Sequence, residues 1–290
     1  MINHIITGEK IQQICDVYIG ERYDFRFNPI IKKQHHKHVH INLITNEFDN
    51  PYFIFCYSHL INKLEPKMKY FKNKFILITH NSDQNIEPTE SIKQILHCDN
   101  LVKWYAQNLV FHDEKISLLP IGLANIMWAH GNLQPFNDIK LINNLTNKSQ
   151  FIYFMFNINT SVQNRKICYE SLKNKLIWLQ PIDPVLNLYR LKEYQFCICP
   201  EGNGVDTHRL WECLYLKVVP IVINTPFVQI LIKYNVPLVI LNNWNDLSPE
   251  TLKYNDYNFD DEIFNNLLNY DKLMSNLVIS QCDISTTGCQ

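Results

Sequence analysis

Glu193-Tyr194-Gln195-Phe196-Cys197-Ile198-Cys199-Pro200-Glu201-Gly202-Asn203-Gly204-Val205-Asp206-Thr207-His208-Arg209-Leu210-Trp211-Glu212 runs on through Lys217 to Val218-Val219-Pro220-Ile221-Val222-Ile223. The stretch reads as strand, loop, helix and strand, the unit of an α/β fold. Its first seven residues are rich in β-formers and stop at Pro200, where a central strand has to end. The loop that follows holds two of the seven glycines in the chain, which points to a backbone requirement there. Asp206 or Thr207 caps a helix that reaches about Lys217, and Val218 to Ile223 is a buried strand. A strand feeding a glycine turn and a helix N-terminus gathers free N–H groups and a positive dipole end, which suits a phosphate or diphosphate. Arg209 and Glu212 share one helix face, while Leu210 and Leu214 share another. The first face can meet phosphate and sugar hydroxyls, and the second can pack on a sheet. The Arg209/Glu212 spacing is equally that of an exposed ion pair on a crossover helix.

The rest of the chain supports two α/β domains. At 290 residues it is long for one domain, and 46% hydrophobic with 19% charged residues describes a globular protein. A net charge of −1 gives no long-range attraction to nucleic acid or acidic membranes. Basic runs such as Lys32-Lys33 and Lys67-Met68-Lys69 read as solvated faces. Nine cysteines, an odd number without regular spacing, read as reduced and mostly buried thiols of a cytoplasmic protein. No leader or membrane-spanning run is legible. Gln34 to His40 packs four histidines into a short stretch; lacking further ligands at fitting distance, it reads as a polar loop entering a strand over Val39 to Ile44.

Apolar runs predict further strands over Pro51 to Tyr57, Lys74 to Thr79 and Ile116 to Asn125. Gln150 to Phe156, Leu176 to Leu179 and Val236 to Leu241 complete the set. Helical patterns cover Ser91 to Leu96, Gln163 to Lys173, Pro184 to Leu191 and Phe227 to Lys233. Ser248-Pro249-Glu250 has the look of a capping box opening another helix. Ile11 to Ile19 alternates only weakly, Asn255 to Leu268 is acidic and then helical, and the tail from Ser280 has no periodicity. Gln134 to Lys148 reads as an interdomain linker. The domains are therefore 1–138 and 139–270, with a tail over 271–290.

Cys199 to Glu212, followed by Val219-Pro220-Ile221-Val222, resembles the donor-site signature of exostosin-like glycosyltransferases, Pro-x-Gly-x-Gly-x-Asp-Thr-x-Arg-x-Trp-Glu. It is similar, more distantly, to the donor motif of α-1,3-fucosyltransferases. His80-Asn81-Ser82-Asp83, Leu119-Pro120-Ile121-Gly122-x-Ala124-Asn125 and Trp128-x-His130-Gly131-Asn132 also resemble soluble enzymes of the exostosin-like group. The resemblance covers residues 70 to 225 or so; Lys217 departs from it where such sequences often carry glycine.

The resemblance implies a GT-B-like fold, two Rossmann-like domains facing a central cleft. The N-terminal domain would take a glycan or glycoprotein acceptor, and the C-terminal one a UDP- or GDP-sugar. It places Asp206, His208, Arg209 and Glu212 on the donor; backbone groups from Gly202 through Asn203 and Gly204 to Asp206 are expected near the diphosphate, and Glu201 is expected to bind the donor as well. Arg165 or Arg209 would offset the charge of the departing diphosphate. Asn157 and Thr160, at a strand end of the same domain, are read as phosphate contacts. The chain has no Asp-x-Asp tripeptide, which agrees with a site that uses no metal and no cofactor beyond the nucleotide sugar.

Inverting transfer needs a base on the acceptor hydroxyl. Asp83, at the end of a buried strand, is the first candidate, followed by His80 and His130. Asn-Ser-Asp sequences also form turns by bonding their own backbone, and that reading of Asp83 stands beside the catalytic one. A non-catalytic relative that binds nucleotide or glycan is the alternative to an enzyme. A dinucleotide-dependent oxidoreductase ranks below both, because Gly202-x-Gly204-x-x-Thr207 lies late in the chain and lacks a third glycine.

Overall fold

The structure, a computed structural model, describes residues 2–24 and 37–275. It is mixed α/β and contains two parallel sheets. His35, His36, Lys32, Lys33 and the tail from Ser280 lie outside the described residues. The chain divides into two compact units, Ile6–Ile121 with Asp271–Gln290, and Met1–Ile5 with Gly122–Tyr270.

The first unit carries β1 (Val17–Gly20), β2 (Lys37–His40), β3 (Phe53–Tyr57), β4 (Phe75–His80), β5 (Leu101–Ala106) and β6 (Ile116–Leu118). They form one sheet in the order β2-β1-β3-β4-β5-β6, and every adjacent pair is parallel. Every residue of β4 is buried, as a central parallel strand covered on both faces requires. The register pairs Tyr57 with His80. The segments leaving β3 and β4 therefore emerge side by side at one sheet edge. The order reverses between β1 and β3, the place where open α/β sheets bind ligands.

The second unit carries β7 (Gln150–Tyr153), β8 (Tyr194–Ile198), β9 (Val219–Ile223) and β10 (Val239–Leu241) in the order β10-β9-β8-β7, all parallel. The helix His208–Tyr215 connects β8 to β9 and turns Leu210, Trp211 and Leu214 inward. The predicted strand-loop-helix-strand unit is present, with its ends trimmed.

Several expectations need correction. Leu176 to Leu179 is not a strand. Trp178 there packs among Phe154, Phe156 and Tyr169, with ring centroids 4.9, 5.2 and 4.9 Å away, and its run is apolar for that reason. Ser248 makes no side-chain cap; the capping box of that region is Asn243 with Asp246.

The division of the chain falls at Ile121/Gly122, not near residue 138, and 134–148 is not a linker. Phe136 packs on Tyr215 with centroids 6.3 Å apart, the Tyr189 hydroxyl donates to Asp138 at 2.6 Å, and Lys148 donates to the Lys192 and Leu216 carbonyls at 2.8 and 2.7 Å. Residues 270–275 are helical, and 271–275 belong with the first unit rather than with a separate tail.

Candidate functional site

The loop after β8 is built differently from its sequence pattern. Gly122, at φ 65°, is the one glycine with a left-handed backbone among the described residues, so Gly202 and Gly204 do not serve that purpose. A Cβ on Gly202 would meet Arg165 Nη2 and Thr207 Cγ2 at 3.4 Å, ordinary contact, while the Gly202 amide closes a turn on the Gly204 carbonyl at 3.1 Å. The helix N-cap is Thr207. At the other end, Lys217 takes the left-handed position itself, at φ 51°. The Val218 amide returns to Cys213 O at 2.8 Å and the Lys217 amide to Leu214 O at 3.1 Å, the two bonds of a Schellman cap.

Arg209 and Glu212 are not a surface pair. Arg209 Nε donates to Glu212 Oε2 at 2.8 Å, and the two side chains are 21% and 11% exposed. Arg209 Nη1 also donates to Met155 O at 3.2 Å, and the guanidinium lies 5.4 Å over the Tyr153 ring. Burial, the largest single influence, would lower Arg209, but the Glu212 carboxylate together with Cys197, Tyr153 and Cys213 outweighs it and raises the guanidinium well above its ordinary value.

Arg165 joins the motif loop to the turn after β7. Its Nε donates to Glu201 O at 3.0 Å and its Nη1 to Asn157 O at 2.9 Å. Burial, and then the neighbouring Arg209 charge, lower its pKa. Two guanidiniums that oppose each other's charge are a place an anion would relieve. Asn157 is exposed and Thr160 half-buried, in a turn where the Thr160 amide bonds Asn157 O at 3.3 Å.

Asp206 faces inward. It is 3% exposed and accepts from Trp211 Nε1 at 2.5 Å, so it fixes the start of the helix. His208 Nδ1 lies 2.9 Å from Gly122 O, and its ring centroid is 5.7 Å from that of His130. His130 is exposed and belongs to the second unit, not to the acceptor-side domain where the sequence placed it.

A cavity of about 250 Å³ opens beside the motif loop, at the carboxyl ends of β8, β9 and β10. Glu201, Thr207, Thr225, Phe227, Asn242 and Trp244 are among its lining residues. Of the predicted donor residues, only Glu201 lines it; Arg165, Arg209 and Glu212 do not, nor do Gly202, Asn203 and Gly204. Burial raises the Glu201 carboxyl, and a hydrogen bond from Thr225 works against that. Thr225, Asn242 and Trp244 were missed by sequence reasoning. Asn242-Asn243-Trp244 directly follows a predicted strand, the signal that had drawn notice to Asn157.

Behind the loop, the sulfurs of Cys197, Cys199 and Cys213 lie within 4.8 Å of one another and are buried, a donor set able to hold a soft metal ion. The seven described cysteines are free thiols, and six of them are buried.

In the first unit, His80 is fully buried. Its Nδ1 lies 3.0 Å from Asn81 Oδ1 and its Nε2 3.0 Å from Pro120 O. Asn81, at φ 57°, donates its backbone N–H to Gln107 Oε1 at 2.9 Å and its side-chain amide to Gln12 Oε1 at 3.0 Å. The ring is enclosed and both of its nitrogens are engaged within the protein. Asp83 is exposed at the same sheet edge.

The same edge holds an arrangement that the sequence did not reveal. His59 Nε2 is 2.9 Å from Asp24 Oδ1, and its Nδ1 is 3.2 Å from Ser82 Oγ. In the same sheet, His38 of β2 packs on Tyr18 with centroids 5.4 Å apart, and burial lowers its pKa. Among the described residues, neither His38 nor His40 joins a set of three metal-ligating side chains.

No protein-family model matches this sequence, and no curated protein matches it either. No helix among the described residues is long and apolar enough to cross a membrane.

Proposed function

We propose that this protein is a glycosyltransferase of the GT-B type. It moves a sugar from a UDP- or GDP-sugar to a hydroxyl of a glycan or glycoprotein, with inversion and without a metal, in the cytoplasm. The observation that carries the reading is the cavity of about 250 Å³ at the carboxyl ends of three parallel strands, walled by the motif loop at Cys199, Pro200, Glu201, Val205 and Thr207. Parallel sheets bind ligands at that end. Trp244 and Phe227 offer apolar walls, and Asn242, Thr225 and Glu201 offer hydrogen bonds, a lining suited to the nucleoside part of a donor. Arg165 and Arg209 supply positive charge near the same loop for the diphosphate.

A thermal-shift screen in EDTA against UDP, GDP, CMP, NAD and the common sugar conjugates tests this reading. A nucleotide sugar at about a hundred times its Kd stabilises the folded protein by roughly 2.7 kcal/mol. At about 2–4 °C per kcal/mol the shift is readily measured. Asn242→Ala, an exposed wall residue, should remove the shift without lowering the unliganded melting temperature. A shift with NAD alone, or with none of the panel, rejects the proposal.

A further inference from the structure

We propose that Cys197, Cys199 and Cys213 form a three-sulfur site for a soft metal ion of the copper(I) type, set behind the motif loop. The inference does not rest on the glycosyltransferase reading, and no step of the transfer proposed above passes through the ion. Cys197 belongs to β8, and Cys199 extends that strand, its amide bonding Ile221 O of β9 at 2.9 Å. Residues two apart on a strand point to one face, so both sulfurs leave the sheet on the same side. The helix His208–Tyr215 brings Cys213 onto that side. The three sulfurs lie within 4.8 Å of one another, and those of Cys199 and Cys213 are 3.8 Å apart. Metal–thiolate bonds of about 2.3 Å set the edges of a tetrahedral or trigonal sulfur set at about 3.8–4.0 Å. One edge is already in place, and the others close by about 1 Å or less.

The surroundings choose the ion. Among the described residues no histidine or carboxylate joins the set, which is sulfur alone. Structural zinc takes four ligands and iron–sulfur clusters four cysteines, whereas soft sulfur ligands select copper(I), which three of them satisfy. Three buried thiolates bring more negative charge than a monovalent ion cancels. Two guanidiniums meet it: Arg209 acts on Cys197, and Arg165 on Cys199. The ion has a way in, because Cys199 is 5% exposed and lines the cavity beside the motif loop. On binding, each thiol gives its proton to solvent and each sulfur shares an electron pair with the ion, whose oxidation state is unchanged. The bound ion ties the end of β8 to the helix and so fixes both ends of the motif loop. Cys15, Cys56, Cys98 and Cys168 belong to no such set among the described residues.

The test is an anaerobic titration of the reduced full-length protein with copper(I), in competition with a coloured copper(I) chelator. Wild type should hold one ion per chain and melt at a higher temperature with it. X-ray absorption should show sulfur neighbours alone at about 2.3 Å, the length of a metal–thiolate bond. Cys213→Ser should weaken binding by more than the roughly 10–100-fold that changes around a ligand cost. Cys98→Ser should bind as wild type does, and so should the double variant Cys282→Ser/Cys289→Ser, whose positions lie outside the described residues. The spectra of wild type and of that double variant carry the test even where Cys213→Ser does not fold, and Cys199→Ser, beside the cavity, repeats it. Wild type that yields its copper to the chelator overturns the proposal, as do oxygen or nitrogen neighbours in the spectrum, or zinc held in preference to copper(I). So does an ion that survives in folded Cys213→Ser, or one that disappears with Cys98→Ser or with the double variant.

Discussion

Each sheet ends, at its central strand, in a buried polar cluster, and the two clusters are made of different chemistry. After β8 the members are charged: Arg209 on Glu212, with Asp206 holding the Trp211 indole. After β4 they are an imidazole and amides: His80 on Asn81, with Gln12 and Gln107 closing the network. The charged cluster is local, its partners lying three to five positions apart on one helix and the loop that enters it. The amide cluster is assembled from segments 26 and 69 positions away in the chain. A charged buried cluster is costly to disturb but cheap to assemble. A neutral one costs less to disturb, yet it exists only once the whole sheet has formed.

The largest effect should come from breaking the charged cluster. Glu212→Ala leaves Arg209 buried without a carboxylate, and orphaning one member of such a pair costs about 3–5 kcal/mol. Urea unfolding would show this as a lower midpoint at unchanged slope. A loss below 1 kcal/mol would mean that the pair behaves as a surface pair after all.

A second cation of this unit sharpens the contrast through pH. Burial pulls the Lys148 ammonium down to about 7, although it donates to two carbonyls. The sign follows from proton counting: between about 7 and the unfolded value near 10.4, the unfolded chain binds the extra proton. Stability from this group is therefore complete above the upper value and is lost as pH falls through the lower one. Wild-type protein should gain on the order of 2 kcal/mol between pH 7 and 10 relative to Lys148→Met. Parallel pH–stability curves for the two proteins would remove Lys148 from the account.

The amide cluster should yield less. Gln107→Ala takes the acceptor from the Asn81 amide, a bond of 2.9 Å. One neutral backbone donor left unsatisfied costs about 1–2 kcal/mol. If this loss matches that of Glu212→Ala, the distinction between the clusters is not one of charge.

The same contrast decides what could be read in advance. Strands β3, β4, β8 and β9 were legible because buried parallel strands are continuous apolar runs with abrupt polar ends. Arg209 and Glu212 were legible because helix spacing places them on one face. His59 was not, because its partners Asp24 and Ser82 come from other strands, and Tyr57-Ser58-His59 carries no local signature. The run at Leu176 to Leu179 misled because an aromatic cluster needs the same residues as a strand. The linker at 134–148 misled because its polar surface is bonded to the second unit through Asp138 and Lys148. The two glycines of the motif loop misled in another way: their torsions are ordinary, and the left-handed position fell to Lys217 instead.

Lys217 gives the smallest prediction. A side chain at φ 51° places Cβ against the following carbonyl, at a cost on the order of 1–2 kcal/mol that glycine does not incur. Lys217→Gly gives part of this back by loosening the unfolded chain. It also removes the bond from Lys217 Nζ to Asp260, 3.1 Å long on an 86% exposed carboxylate and so worth little. The net expectation is a gain of about 0.5–1 kcal/mol with nucleotide binding unchanged, because the position lies at the far end of the helix from the motif loop. Chemical denaturation with and without ligand would measure both. Lost stability in the glycine variant would show that the contacts of the Lys217 side chain outweigh the strain of its backbone.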